Sequence, residues 1–493
     1  MSRGRIAFGQ TSSDHAQRSG RRWFPYNKGG TPVPWWGNQD HVVNWDNDGR
    51  DIRAFGTEDG GRPRSAVRNP DFYFRSTVTW SNIGSGGARF RLIPPGFIFD
   101  VAGMSAFAKS ETDRLNLLGY LNSAILRRGL DVLAPTLNYQ VGDVARLPLL
   151  SGGDDHERVA ELVRLTRAKW ADSETAHEFQ NQPLTRFGHD NLKAVVSAHR
   201  SEGERQCADV AYLERASEEY WSERVAHASG QVVDDAGRQA ESRSREREGN
   251  SEVIENLVSY FVGCLLGRYS LDQPGLILAD KGASLQDYLA KVPTPTFMPD
   301  ADNVVPIVDG DWFEDDIVTR FRDFLRAAFG EQQFEQNLWF VTESLGVKDL
   351  RDYFVKFFYK DHVQRYRKRP IYWLFSSPKG SFNALIYMHR YTPSTASTVL
   401  NEYLREFKAK LDANLQHQER LVAGSGDARG QAKAQQAADR LRRMILELEE
   451  YEYDVLYPIA SQQVEIDLDD GVKVNYPKLG AALKRVPGLE ADL

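Results

Sequence analysis

Cationic side chains set among aromatic rings are the first chemistry this sequence offers. RRWFPYNKGG (21–30) places Arg21, Arg22 and Lys28 around Trp23, Phe24 and Tyr26, with Trp35 and Trp36 just beyond. Such cations can bond phosphate oxygens, and exposed rings of this kind can stack on an extruded base. The same rings could equally fill the core of a small β module. In Ala88–Leu92, Ala88, Phe90 and Leu92 fall on one face of an extended segment, and Arg89 and Arg91 fall on the other. The two arginines are expected on the outer side, reaching guanine edges or phosphates, or simply solvated. Arg75 joins the phosphate-contact candidates. Further on, Leu137, Tyr139 and Val141 alternate with Asn138 and Gln140. That pattern predicts a strand with an apolar face and an amide face. A surface amide of this kind can pair bidentately with adenine. The basic run Gln364–Arg369 (QRYRKR) supplies Arg365, Arg367 and Lys368 as a second phosphate-contact set, or as a solvated face.

No catalytic centre accompanies these groups. A methyltransferase acting on a base amine needs a glycine-rich strand-to-helix turn for its cofactor. It also needs an Asn/Asp-Pro-Pro-aromatic motif to hold the flipped base. RNPDF (68–72) lacks the second proline, and LIPPGF (92–97) lacks both the polar residue and the adjacent aromatic. The glycines of NIGSGGARF (82–90) precede a strand, and those of GSGDARG (424–430) join two helices. There is no Walker-type phosphate loop and no nucleophile elbow. Asp300, Asp302, Asp309, Asp311, Glu314, Asp315 and Asp316 form an acidic cluster without EF-hand spacing. It reads as a solvated loop capping the helix after Trp312. Neither catalytic nor metal-ligating residues are assigned.

The elements that must carry these residues imply an α+β fold: a β-rich N-terminal domain, then largely helical domains ending in an antiparallel helical hairpin. Phe97–Val101 reads as a short apolar strand. Ser110 and Asp113 mark a helix start, with Leu115, Leu118, Leu121 and Ile125 at helical spacing and Gly129 as its stop. Residues 155–250 are helical, and 234–250 (DDAGRQAESRSREREGN) form a polar linker. Residues 251–266 give a buried helix, and 312–360 are helical and aromatic-rich. Residues 370–391 give two strands joined by a turn at Ser377–Gly380. Leu400, Leu404, Phe407, Leu411 and Leu415 define one amphipathic helix. Ala434, Ala437, Leu441, Ile445, Leu448 and Tyr451 define a second. The expected divisions are 1–150, β-rich; 151–250, a helical connector; 251–395, mixed; and 396–493, the hairpin with a C-terminal strand segment.

Composition narrows the class. The chain has 493 residues, 41% of them hydrophobic, which is enough for packed cores. Its net charge of −7 hides an asymmetry. Residues 1–150 hold 19 Lys/Arg against 13 Asp/Glu, and the remainder holds 43 against 56. A basic third on an acidic body suits a localised polyanion-binding face. Cys207 and Cys264 have no partners at metal-ligand spacing, which fits a reducing cytosol. The start, MSRGRIAFGQ, lacks the apolar core of a secretory signal, and no apolar run reaches membrane-spanning length. A cytoplasmic protein with no membrane attachment is expected.

Several long strings carry a resemblance. They are RWFPYNKGG (22–30), VVNWDNDG (42–49), GFIFDVAG (96–103), LLGYLNS (117–123), TLNYQVGDVARLP (136–148), SYFVGCLLGRYSLD (259–272), DWFEDDIV (311–318), FYKDH (358–362) and RPIYWLFSSPKGSFNALIYMHRYT (369–392). Together they resemble the PglX family, the adenine-specific DNA methyltransferases of BREX phage-defence systems. The match runs through almost the whole chain and falls C-terminal to the family's catalytic domain. What the resemblance implies is therefore target recognition: residues 1–150 as a target recognition domain selecting a site on double-stranded DNA. The S-adenosylmethionine-binding domain, with its glycine-rich and Asn-Pro-Pro-Tyr motifs, would belong to another chain. That catalytic subunit, or other BREX components, would be partners. The alternative is an interaction scaffold within the defence assembly, docking through the acidic body and the hairpin without catalysis of its own.

Overall fold

The computed structural model describes residues 3–57, 60–83, 87–136, 138–150, 152–188, 191–229, 249–424 and 428–490. The glycines near 84–86, Leu137, most of the polar stretch 234–250 and the interhelix residues 425–427 lie outside these ranges. The fold is α+β. It divides into two compact units: Gly4–Phe179 with Ala198–Arg247, and Met1–Arg3 with Gln180–Ser197 and Glu248–Leu493. They are called here the β-rich and the helical unit.

The β-rich unit contains six strands: β1 (Trp23–Asn27), β2 (His41–Asn44), β3 (Thr77–Ser81), β4 (Arg91–Ile93), β5 (Ile98–Phe99) and β6 (Gly103–Ala106). They form two three-stranded sheets, ordered β2-β1-β5 and β4-β3-β6. Among the strand pairs of the described residues in these sheets, β1/β5 is parallel and the others are antiparallel. Phe24, Trp45, Tyr73, Phe74 and Ile98 fill one core. Trp35, Trp36, Trp80, Phe90, Leu118, Leu130, Tyr139 and Leu162 fill another. Gly29 sits at φ +75°, and a Cβ there would lie 2.4 Å from the Ala102 carbonyl oxygen, so the turn leaving β1 admits no side chain.

The helix Glu111–Asn122 starts where its cap predicts, with Ser110 Oγ accepting the Asp113 N–H at 3.0 Å. It does not stop at Gly129. Ser123 turns extended and a second helix, Ala124–Leu133, runs through that glycine. The break is fixed from outside the local sequence: the Glu218 carboxylate accepts the Ala124 N–H at 2.6 Å. Glu218 belongs to the part of the helix Leu192–Ser229 that lies within this unit. That segment is held through buried Asp155, which accepts from Ser217 Oγ at 2.5 Å and Trp221 Nε1 at 2.9 Å.

In the helical unit, Asn250–Leu265 is buried along its length from Val253 onward apart from residues 255 and 256. A third sheet contains β7 (Val305–Pro306), β8 (Tyr372–Ser376) and β9 (Asn383–Tyr387), in the order β7-β9-β8. The β8–β9 turn is the expected one, with the Gly380 N–H bonded to the Ser377 carbonyl at 2.9 Å. The hairpin helices are Arg405–Gly424 and Ala428–Tyr451. They are antiparallel, since Arg442 pairs with Glu419 at 2.8 Å while Arg405 pairs with Glu452 at 2.7 Å. Beyond them, the extended backbone pairs through a single bridge, Phe375 to Leu483. Among the described residues, no helix is long and apolar enough to cross a membrane.

Candidate nucleic-acid interface

Arg21, Arg22 and Lys28 are exposed at the two ends of β1, and Arg75 is exposed just before β3. Two of them lie over rings: Arg22 is 5.3 Å from the Trp23 ring centroid and Arg75 is 5.1 Å from that of Phe72. The rings between the cations do not form a stacking platform. Phe24, Trp35 and Trp36 are buried, and Tyr26 donates its hydroxyl to Asp100. These aromatics build the cores, and the cations stand at the rim of what the rings hold together.

Arg89 and Arg91 do not share an outer face. Arg89 is half-buried, but Arg91 is fully buried. The alternation identifies the apolar side correctly, with Ala88 and Phe90 buried. What it cannot reveal is that the opposite side is covered as well. Arg91 lies directly across from Thr79 in the β3/β4 register. On that face Asn27 of β1 donates to Thr79 Oγ1 at 2.7 Å, and Ser81 Oγ donates to the Gly30 carbonyl at 2.7 Å. The outer edge of β4 is closed by Trp35, whose carbonyl accepts the Leu92 N–H at 2.8 Å. Arg91 thus joins a polar layer between two sheets, and burial pushes its guanidinium pKa down to about 10.

The expected strand around Asn138 and Gln140 is a single bridge, Ile83 to Asn138, followed at Val141 by the short helix Val141–Ala145. Tyr139 points inward. Its N–H bonds the Asn82 carbonyl at 2.8 Å, and its carbonyl accepts Trp80 Nε1 at 3.0 Å. Burial first, then the nearby Asp131 carboxylate, pushes its phenol up, and Arg89 acts in the opposite direction. Asn138 and Gln140 are exposed on either side. Gln140 Nε2 donates to Asn138 Oδ1 at 2.8 Å and to Asn82 Oδ1 at 3.2 Å. Asn82 and the exposed Ile83 are therefore members of this surface that sequence reading missed. The bridge that brings them to Asn138 spans more than fifty residues of chain and leaves no periodic signal.

In the helical unit, the basic run is a helix end. The helix Tyr359–Arg365 closes with Arg367 and Lys368 at φ 49° and 60°, their amides bonding the Gln364 and Val363 carbonyls at 2.9 and 2.8 Å. Cations there suit the negative end of the helix dipole. Arg365 donates to Asn256, while Arg367 and Lys368 remain exposed. The acidic cluster caps a helix as expected, with Asp316 Oδ1 accepting the Val318 N–H at 2.8 Å at the start of Ile317–Phe329, but it is not wholly solvated: Asp316 is buried and pairs with Arg351 at 2.7 Å. Among the described residues, no three His, Cys, Asp or Glu side chains are grouped to hold a metal ion. Nor does any strand among them pass through a glycine-rich turn into a helix.

No family model matches the chain. Two curated proteins do. The adenine-specific methyltransferase BrxX of Escherichia coli O9:H4 (strain HS) is 31% identical over 510 residues, covering 98% of this chain and 41% of the relative. The adenine-specific methyltransferase PglX of Lacticaseibacillus casei (strain Zhang) is 33% identical over 491 residues, covering 96% of this chain and 40% of the relative. Nearly all of this chain is therefore similar to one part of each of these adenine-specific methyltransferases. It spans about two-fifths of the length of the curated relatives it matches.

Proposed function

We propose that this chain is the site-selecting, duplex-gripping portion of an adenine-specific DNA methyltransferase serving BREX phage defence by marking host DNA. In this reading the S-adenosylmethionine-binding and catalytic groups are supplied from outside these residues. One observation carries the reading. The match takes in nearly all of this chain but about two-fifths of each relative, both of which are named adenine-specific methyltransferases. The role proposed for this part is binding. Exposed Arg21, Arg22, Lys28 and Arg75 supply phosphate contacts, half-buried Arg89 supports them, and Asn138, exposed beside Tyr139, reads a base. Arg367 and Lys368 offer a second backbone contact from the helical unit.

The test is methyl transfer and cofactor binding by the purified chain. With labelled S-adenosylmethionine and a mixed-sequence duplex, it is expected to transfer no label and to retain none in equilibrium dialysis. Label in the DNA, or saturable cofactor binding, would overturn the division of labour.

A further inference from the structure

The amide cluster of the β-rich unit divides into parts with different roles. An amide NH2 has two hydrogens. Gln140 commits both, one to Asn82 Oδ1 at 3.2 Å and one to Asn138 Oδ1 at 2.8 Å. Its main chain is fixed too, because the Asp143 carboxylate accepts the Gln140 N–H at 3.0 Å in a capping box. Gln140 therefore has no donor left for a base. It fixes the two asparagines with their oxygens toward its own amide, which leaves their Nδ2 groups for an external acceptor. Among the described residues, neither Asn82 Nδ2 nor Asn138 Nδ2 has a partner. Ile83 lies between them in the chain, 69% exposed, and Val141 follows Gln140, 51% exposed. These two aliphatic side chains stand open next to the amide set in the chain.

We infer that Asn82, Asn138, Ile83 and Val141 read the major-groove edge of a thymine, with Gln140 as their positioning residue. The chemistry selects the base. Fixed N–H donors need acceptors, which thymine supplies at O4, guanine at O6 and N7, and adenine at N7. Only thymine places a methyl group beside its acceptor, and Ile83 and Val141 are the apolar surface for it. The inference rests on the DNA-recognition reading and deepens it, since it states which side chains set specificity and for which base.

The experiment uses the full chain. Selection from a randomised duplex pool defines the preferred site, and each thymine in that site is then replaced by uracil, which lacks only the methyl. At one thymine, uracil is expected to weaken wild-type binding by about 5-fold, the low end of a base contact. Ile83→Ala should bind the thymine and uracil duplexes equally. Asn138→Ala and Asn82→Ala should lose the preference at that pair while keeping affinity for the rest of the site. Gln140→Glu, which has no amide hydrogen to give, should broaden the same position with an unchanged melting temperature. If the wild type draws no preferred sequence, the recognition reading fails and this assignment with it. If a site is selected but every uracil is silent, or the variants keep the same preference, the assignment alone is overturned.

Discussion

Asp300 shows how one residue's surroundings set its chemistry. Its Oδ1 accepts the Asn303 and Val304 N–H groups at 2.6 and 3.1 Å. Arg390 approaches, but its two bonds go to the Asp300 and Ala301 carbonyls rather than the carboxylate. Nearby, Tyr403 Oη lies 3.0 Å from Asp302 and 2.9 Å from Asp315, and one hydroxyl proton cannot serve both fully. Burial first, then Asp302, pushes the Asp300 pKa up to about 7. An unfolded aspartate titrates near about 4. Between these values the folded chain holds the extra proton, so this group's contribution to stability falls as pH rises through that window. Asp300→Asn keeps the oxygen acceptor and removes the charge. It is expected to raise the melting temperature at pH 8 by several degrees and to change it little at pH 4. An equal shift at both pH values would contradict this account. Arg91 teaches the companion lesson, because a residue's type announced a phosphate contact and its burial assigned it to the interior.

At the scale of elements, what holds the β-rich unit's helices together is a buried carboxylate. Asp155 receives Ser217, Trp221 and Arg158, and Gly119 lets them approach: a Cβ there would fall 2.8 Å from Asp155 Oδ2 and 2.9 Å from Trp221 Nε1. Asp155→Ala strands these donors, which costs about 1–3 kcal/mol each if they stay dry. Thermal unfolding is therefore expected to shift down by at least about 2–4 °C, the equivalent of 1 kcal/mol in a unit of this size. An unchanged transition would refute the role given to Asp155. None of this was legible beforehand, because residues 155 and 221 meet only after the chain has folded back. The local signals were legible: the Ser110 cap, the β8–β9 turn and the two hairpin helices all lie where periodicity and capping put them. Failures came where a distant partner decides. Glu218 moves a helix break from Gly129 to Ser123, Asn27 and Trp35 close over Arg91, and Ile83 turns an expected strand into one bridge. Of the proposed contacts, the cations and Asn138 and Gln140 can be named from residue type, but Asn82 and Ile83 cannot, because a bridge across more than fifty residues brings them there.

For the whole molecule, the account rests on an uneven distribution of charge. The chain is acidic overall, yet its first 150 residues carry an excess of Lys and Arg, and four of the proposed contacts there are exposed. Each phosphate neutralised releases condensed counterions, so affinity must fall with salt in proportion to the number of contacts. The measurement that tests the central claim most directly is duplex binding by the purified chain, followed by fluorescence anisotropy between about 50 and 200 mM salt. The account predicts binding at the lower salt and a loss of roughly 100-fold across that range, the slope expected for about four phosphate contacts. No duplex binding at about 50 mM salt, or binding indifferent to salt, would contradict it.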